Sequence, residues 1–227
     1  MKRLSLFLVI SAFITFTPAV GSLAGESLNI QEFRKLYDSL LSGKTLVTEG
    51  EEDGMSVKKE RRYGKALDLG DGDFEIPVEQ VITYTKDGKT DREITIDIVD
   101  MVNDLGGSAM IQEEVRSVTV LEEGDEKPEE SKGVEFGGVY RVGKNDKGGF
   151  EVNNFSLIPS LKVDGDTLTL AGSMISYSCY PEKERSVCSL TVRDFDVQEY
   201  ERFNGYKIGE PIGGDFVEVY EEASAAK

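Results

Sequence analysis

Residues Thr167–Val197 read TLTLAGSMISYSCYPEKERSVCSLTVRDFDV, and the fold turns on how this stretch is read. Two segments of alternating pattern, Thr167–Tyr180 and Val187–Val197, flank a polar tip. Side chains alternate along a strand with a period of two, so Ile175, Tyr177 and Cys179 share one face of the first segment. Cys188, Leu190 and Val192 share one face of the second. The only two cysteines of the chain therefore both lie on an apolar face. The pattern predicts a hairpin stapled by a Cys179–Cys188 disulfide across the eight-residue tip Tyr180–Val187. Closing so small a ring stabilises a fold by roughly 2–3 kcal/mol.

Outward from this hairpin the same period recurs. Phe74, Ile76, Val78, Ile82 and Tyr84 face one way along Phe74–Tyr84, Asp87-Gly88 turns the chain, and Ile94, Ile96 and Ile98 alternate with Thr95 and Asp97. Clean alternation implies sheets dry on one face and wet on the other, hence antiparallel pairing. Pro77 predicts an edge strand or a bulge, because proline cannot donate to a ladder. Ser108–Leu121 mixes helical and strand signals and is read as strand, while residues 122–133 are too polar to bury and read as a mobile acidic loop. Strands resume at Val134–Val142, Phe150–Leu161 and Asp215–Glu221, with Gly143-Lys144 and Gly205-Tyr206-Lys207 read as turns and 222–227 as a polar tail. Residues 72–88 and 148–165 echo one another, each running from a Gly-rich turn through a Phe-led strand to Asp-Gly, which is compatible with a duplicated hairpin or with chance.

One helix is expected near the start. Asn29 is suited to an N-cap with Glu32 three residues on, and Phe33, Leu36, Tyr37, Leu40 and Leu41 form one apolar stripe ahead of the stop at Gly43. Before it, Met1-Lys2-Arg3, the apolar run Leu4–Phe16 and the small residues Ala19, Gly21, Ser22 and Ala24 read as a signal peptide over 1–24. The rival reading is a membrane anchor, but the run falls short of the roughly 20 residues a span needs. The start looks bacterial, and the expected home is the periplasm or the medium. The helix followed by Ser42-Gly43-Lys44-Thr45-Leu46-Val47 resembles the opening of VirK-like secreted bacterial proteins, and nothing about activity follows from so short a likeness.

Composition narrows the chemistry. The chain of 227 residues carries a net charge of −17, and losing Lys2 and Arg3 with the signal leaves −19. Such a surface repels nucleic acid and anionic lipid, and its plainest role is solubility. Two cysteines in an exported chain suit oxidation rather than metal binding. With no histidine at all, Ser-His-Asp triads, Cys-His pairs and His-ligated metals are excluded. No cofactor is expected.

Carboxylates are the one plentiful reactive group. Glu75 and Glu151 sit at matching places in the two echoing strands, but both read as outward-facing, and finding such pairs among 43 acidic residues decides little. Asp68, Asp71 and Asp73 cluster in a Gly-rich turn that could offer oxygens to calcium, although the spacing departs from an EF-hand loop and strands flank it. An ordinary hairpin turn is the simpler reading, and Asp164 and Asp166 are a weaker version of it. Ser173, Ser176 and Ser178 lack a base. Tyr63, Tyr84, Tyr140, Phe150, Phe155, Tyr177 and Phe195 read as core, yet a closed barrel can leave a pocket lined by such residues.

The sequence thus predicts a mostly β fold, 25–221, with one N-terminal helix packed on an antiparallel meander, as a barrel-like sheet ahead of a two-sheet sandwich. The expected function is a secreted, non-enzymatic binding protein holding a small apolar ligand inside the barrel. The alternatives are a module for protein–protein interaction without a pocket and a carboxylate-based hydrolase. Neither nucleic acid nor stable membrane insertion is expected.

Overall fold

Tight turns set the architecture. At Asp53-Gly54, Asp71-Gly72, Asp87-Gly88, Gly106-Gly107 and Lys183-Glu184 both central residues have positive φ, between 46° and 92°. This is the two-residue turn whose twist matches that of the strands it joins, so each turn commits the flanking chain to antiparallel pairing. The computed structural model describes residues 26–164, 167–200, 206–211 and 216–223. The signal peptide expected over 1–24 lies outside them.

The helix α1 spans Ile30–Leu40. The strands are β1 Thr45–Glu52, β2 Met55–Tyr63, β3 Leu67–Gly70, β4 Asp73–Lys86, β5 Lys89–Leu105, β6 Ser108–Glu122 and β7 Glu129–Lys144. They continue as β8 Phe150–Asp164, β9 Thr167–Glu182, β10 Arg185–Tyr200, β11 Tyr206–Pro211 and β12 Phe216–Glu222. Ten of them close a ring in the order β1-β2-β4-β5-β6-β7-β8-β9-β10-β12 and back to β1. The fold is therefore a closed antiparallel barrel and not a sandwich. β3 extends β4 where β2 has left it, and β11 extends β10 beyond the reach of β12.

The ring is unevenly sealed. β4 and β5 pair from Phe74↔Val102 to Lys86↔Lys89, whereas β1 meets β12 only at Leu46↔Glu222 and Val47↔Glu221. Past Val47 a cleft of about 410 Å³ separates Thr48–Glu52 from Phe216–Val219.

Several sequence expectations change. The stapled tip is not a loop of eight residues, because β9 and β10 run on to Glu182 and Arg185 and pair in register from Val197↔Leu170 through Cys188↔Cys179 to Arg185↔Glu182. Pro77 is neither at an edge nor at a bulge: β4 is flanked on both sides. β2 parts from β4 after Tyr63↔Val78 and β3 joins it only at Leu67↔Glu75, so the donor that Pro77 lacks falls in the gap. There Gly64 packs onto the ring, with its N–H donating to the Pro77 carbonyl at 2.8 Å. A Cβ on Gly64 would stand 2.5 Å from Pro77 Cγ. The mixed signal of Ser108–Leu121 has a local cause, since the register shift between Val115 and Ser117 leaves Arg116 as the extra residue of a bulge. The apolar phase thereby moves from Ala109, Ile111 and Val115 to Val118 and Val120. β7 begins at Glu129, inside the stretch expected as loop, and holds Gly143 and Lys144. Tyr206 and Lys207 belong to β11, and Glu222 to β12 rather than to a tail.

The helix lies across one mouth of the barrel. Asn29 and Glu32 exchange the two bonds of a capping box, at 2.9 and 3.1 Å. Leu28 fastens the approach, its N–H donating to the Val142 carbonyl and its carbonyl accepting from Ala109 N–H. Phe33 enters between the two echoing strands, its ring 6.1 Å from that of Phe74 and 5.0 Å, edge-on, from that of Phe150. Around it, Leu46, Val102, Ala109, Val142, Cys179, Cys188 and Tyr220 form a buried inward-facing layer. Burying one such large apolar side chain contributes about 2–3 kcal/mol. Among the described residues no helix is long and apolar enough to cross a membrane.

Candidate functional site

Inward-facing positions are every second residue of each strand, and on the three strands that matter the run is mostly apolar. Val57, Lys59, Arg61 and Tyr63 point in from β2. From β5 come Ile96, Ile98, Asp100 and Val102, and from β6 Ala109, Ile111, Glu113 and Val115. Charged residues thus interrupt each stripe, two of them on β2, and because the strands close into a ring Arg61, Asp100 and Glu113 meet in the interior.

They border a cavity of about 310 Å³ above the helix. Phe33, Tyr37 and Leu41 form its floor, Ile76, Ile111, Val152, Ile175, Leu190 and Val192 its apolar walls, and Arg61, Asp100, Glu113, Tyr63, Tyr140 and Tyr177 its polar side. That volume is at the lower end of the roughly 300–1,000 Å³ common for small-molecule sites. Apolar walls with a few converging polar groups are the usual composition of such sites.

The polar side is charged and incompletely paired. Asp100 and Glu113 stand directly opposite one another across β5 and β6, a spacing of about 5 Å between Cβ atoms. Asp100 is pushed from 3.8 up to about 7, first by burial and then by the charge of Glu113, with Arg61 pulling the other way. Asp100 Oδ1 and Arg61 Nε are both buried with no hydrogen-bond partner among the described residues. The Arg61 guanidinium lies 5.3 Å from the centre of the Tyr177 ring. Burial opposes its charge, but Tyr63, Tyr177, Glu113 and Asp100 around it outweigh that, and it remains a fixed cation. The Tyr63 and Tyr177 hydroxyls share a short hydrogen bond, and burial raises the pKa of both. Tyr37 donates to the Gly64 carbonyl at 2.5 Å, holding the floor in place.

A second charged group sits at the β1–β12 seam and is fully paired. Lys59 Nζ donates to Glu218 at 2.5 Å and lies 2.9 Å from Glu52, and the Tyr220 hydroxyl donates to Glu218 at 3.0 Å. Nearby, Lys44 bridges Glu222 at 3.0 Å and the Ser186 hydroxyl at 2.8 Å.

The residues singled out in the sequence fall in different places. Cys179 and Cys188 are joined, fully buried, with Cα atoms 4.1 Å apart. Tyr63, Tyr140, Phe150 and Tyr177 line the cavity. Tyr84 lies beneath Arg92, whose guanidinium is 4.4 Å from the ring centre. The side chains of Phe155, Phe195 and Ser173 lie outside the described residues. Glu75 and Glu151 alternate with the inward Ile76 and Phe150 and so face away from the cavity. Of the aspartate turn, Asp68 pairs with Arg34 at 2.9 Å, Asp71 takes a left-handed turn position, and Asp73 accepts from Asp104 N–H at 3.4 Å. Among the described residues no three carboxylates gather as a metal site. Ser178 accepts from Asn145, whose side chain also donates to the Phe150 and Cys179 carbonyls and ties the β7–β8 turn to β9.

Arg61, Asp100 and Glu113 were missed because each looks like a surface charge when read in its local run. Their signal is phase: Arg61 keeps step with Val57 and Tyr63, Asp100 with Ile98 and Val102, and Glu113 with Ile111 and Val115. Comparison with protein families, with characterised proteins and with solved structures gives no match for this chain.

Proposed function

We propose that the protein is a non-enzymatic binding protein that holds a small apolar molecule in the barrel interior, and that it acts in the periplasm or outside the cell. The single observation that carries the reading is the 310 Å³ cavity above the helix, walled by Ile76, Ile111, Val152, Ile175, Leu190 and Val192. Filling so apolar a space releases ordered water and gains dispersion contacts that an empty pocket lacks. The disulfide favours an oxidising compartment. An interior site also argues against a module that binds only through its surface.

The test uses the neutral dye 1-N-phenylnaphthylamine. The chain has no tryptophan, so dye fluorescence is read against a low background. Saturable enhancement at one dye per chain is expected, and Ile111→Trp or Val152→Trp, which fill the cavity from β6 and from β8, should abolish it. Enhancement that persists in both filled variants, or that never saturates, would place the dye elsewhere and refute the reading.

The Asp100–Glu113 pair supports a second reading, carboxylate-based hydrolysis, because an acid held near neutrality beside another carboxylate suits general acid–base work. Turnover of a chromogenic glycoside or ester that Asp100→Asn eliminates would put this reading first.

A further inference from the structure

Two cations point into the barrel from alternate positions of one strand, and they are treated differently. Lys59 is saturated, with Glu218 at 2.5 Å and Glu52 at 2.9 Å. Arg61 forms no ion pair within 4 Å among the described residues; it hydrogen-bonds the Tyr177 hydroxyl, and its buried Nε–H has no acceptor. The surrounding tyrosines and carboxyls keep this buried guanidinium charged but leave its fork only partly engaged, and an unmet donor in such a place is costly. Beside it, the bond between Tyr63 and Tyr177 consumes one hydroxyl proton and leaves the other hydroxyl free to donate. Donors therefore converge, beside the Asp100 and Glu113 carboxyls, on the polar side of a cavity whose other walls are apolar.

We propose that Arg61, with the Tyr63–Tyr177 pair, docks the carboxylate of a small monocarboxylic acid whose apolar chain fills the rest of the cavity. This rests on the interior-binding reading above and gives the ligand its head. A carboxylate is planar, with two oxygens set to meet the guanidinium fork, whereas an alcohol offers one oxygen and a far weaker acceptor. An ammonium head would leave Arg61 unpaired and repel it.

The neighbouring acids set the condition for binding. Sharing the cavity with Asp100 are Arg61 and Tyr63 from β2, Glu113 from β6, Tyr140 from β7, Tyr177 from β9 and Tyr37 from the helix, while β4 sets Ile76 opposite it. Lys59 is engaged at the seam. With Asp100 and Glu113 both ionised the cavity already holds more negative than positive charge, so a third carboxylate enters when Asp100 holds its proton. Asp100 titrates near 7, so the bound acid is favoured below that and disfavoured above it.

Isothermal titration of the wild-type protein with decanoic acid, decan-1-ol and decylamine, at about pH 6 and about pH 8, decides the matter. Decanoic acid should bind at one per chain, at least about tenfold tighter than decanol at the lower pH, with the amine weakest. Its affinity should fall roughly tenfold by the higher pH, following loss of the Asp100 proton, while that of decanol stays level. Arg61→Met should erase the preference for the acid yet keep decanol binding, and Arg61→Lys should keep part of it. If Arg61→Met does not fold, the comparison of the three compounds on the wild-type protein still decides. Equal affinity for acid and alcohol, tightest binding of the amine, or an acid preference that survives in Arg61→Met would each overturn the head-group assignment alone. Failure of all three compounds to bind would overturn interior binding itself.

Discussion

Replacing Asp100 by asparagine should make the ligand-free protein insensitive to a pH range that erodes the wild type. The carboxyl faces the cavity directly across from Glu113, and Oδ1 has no hydrogen-bond partner among the described residues. Burial, then Glu113, moves its pKa from 3.8 to about 7. The folded state therefore holds this proton more tightly than the unfolded state. As pH rises the unfolded chain releases it first, and native stability drains away between about 3.8 and about 7, with the loss complete above that. At about 1.4 kcal/mol per tenfold in proton affinity, the full effect is roughly 4 kcal/mol. Asparagine cannot ionise. Its amide has unmet hydrogen bonds worth about 1–3 kcal/mol at every pH, so the informative quantity is how the difference between the two proteins changes. Urea unfolding at several pH values should show wild type losing roughly 4 kcal/mol relative to Asp100→Asn between about pH 4 and about pH 8. The subtraction removes the general repulsion of a chain carrying −17, which both proteins share. A difference that stays constant, or that moves in favour of wild type as pH rises, would refute the placement of Asp100 as a buried partner of Glu113.

Two further outcomes concern the stapled hairpin. Replacing both Cys179 and Cys188 by alanine should lower stability by about 3 kcal/mol in chemical denaturation, through the loop-closure entropy regained by the unfolded chain; a loss under about 1 kcal/mol would mean that register alone holds the hairpin. At its tip, Lys183 and Glu184 adopt φ of 46° and 72° without being glycine or asparagine. Substituting Asn-Gly should therefore stabilise by about 1 kcal/mol, and a fall in melting temperature would show that the native side chains make compensating contacts.

Much of the barrel is visible in the sequence because its signals are local. Asp87-Gly88 names its own turn, and the stripe from Phe74 to Tyr84 names its own inward face. The disulfide follows from phase, since Cys179 and Cys188 keep step with Tyr177 and Leu190. Closure is less legible, because nothing near Leu46 announces that its partner is Glu222. Pro77 misleads for a related reason, its gap being made by the departure of a different strand at Tyr63. The charged side of the cavity is hardest to read. Lys58–Arg62 looks solvated as a run, and only the pairing of β2, β5 and β6 around one axis turns Arg61, Asp100 and Glu113 into neighbours.

The partner that completes the ring arrives late in the chain. From β1 to β10 most strands find their neighbours within a hairpin or two, and such short-range joints form early and cheaply. The second neighbour of β1, however, is β12, which lies between it and β10 and comes from the far end of the described residues. A chain in which β12 had not yet docked would carry bare margins at β1 and β10 and open its greasy inner lining to water. A population caught at that stage offers ready templates for other chains to stack upon. On the two pairs at Leu46 and Val47 thus rests the protection of both margins.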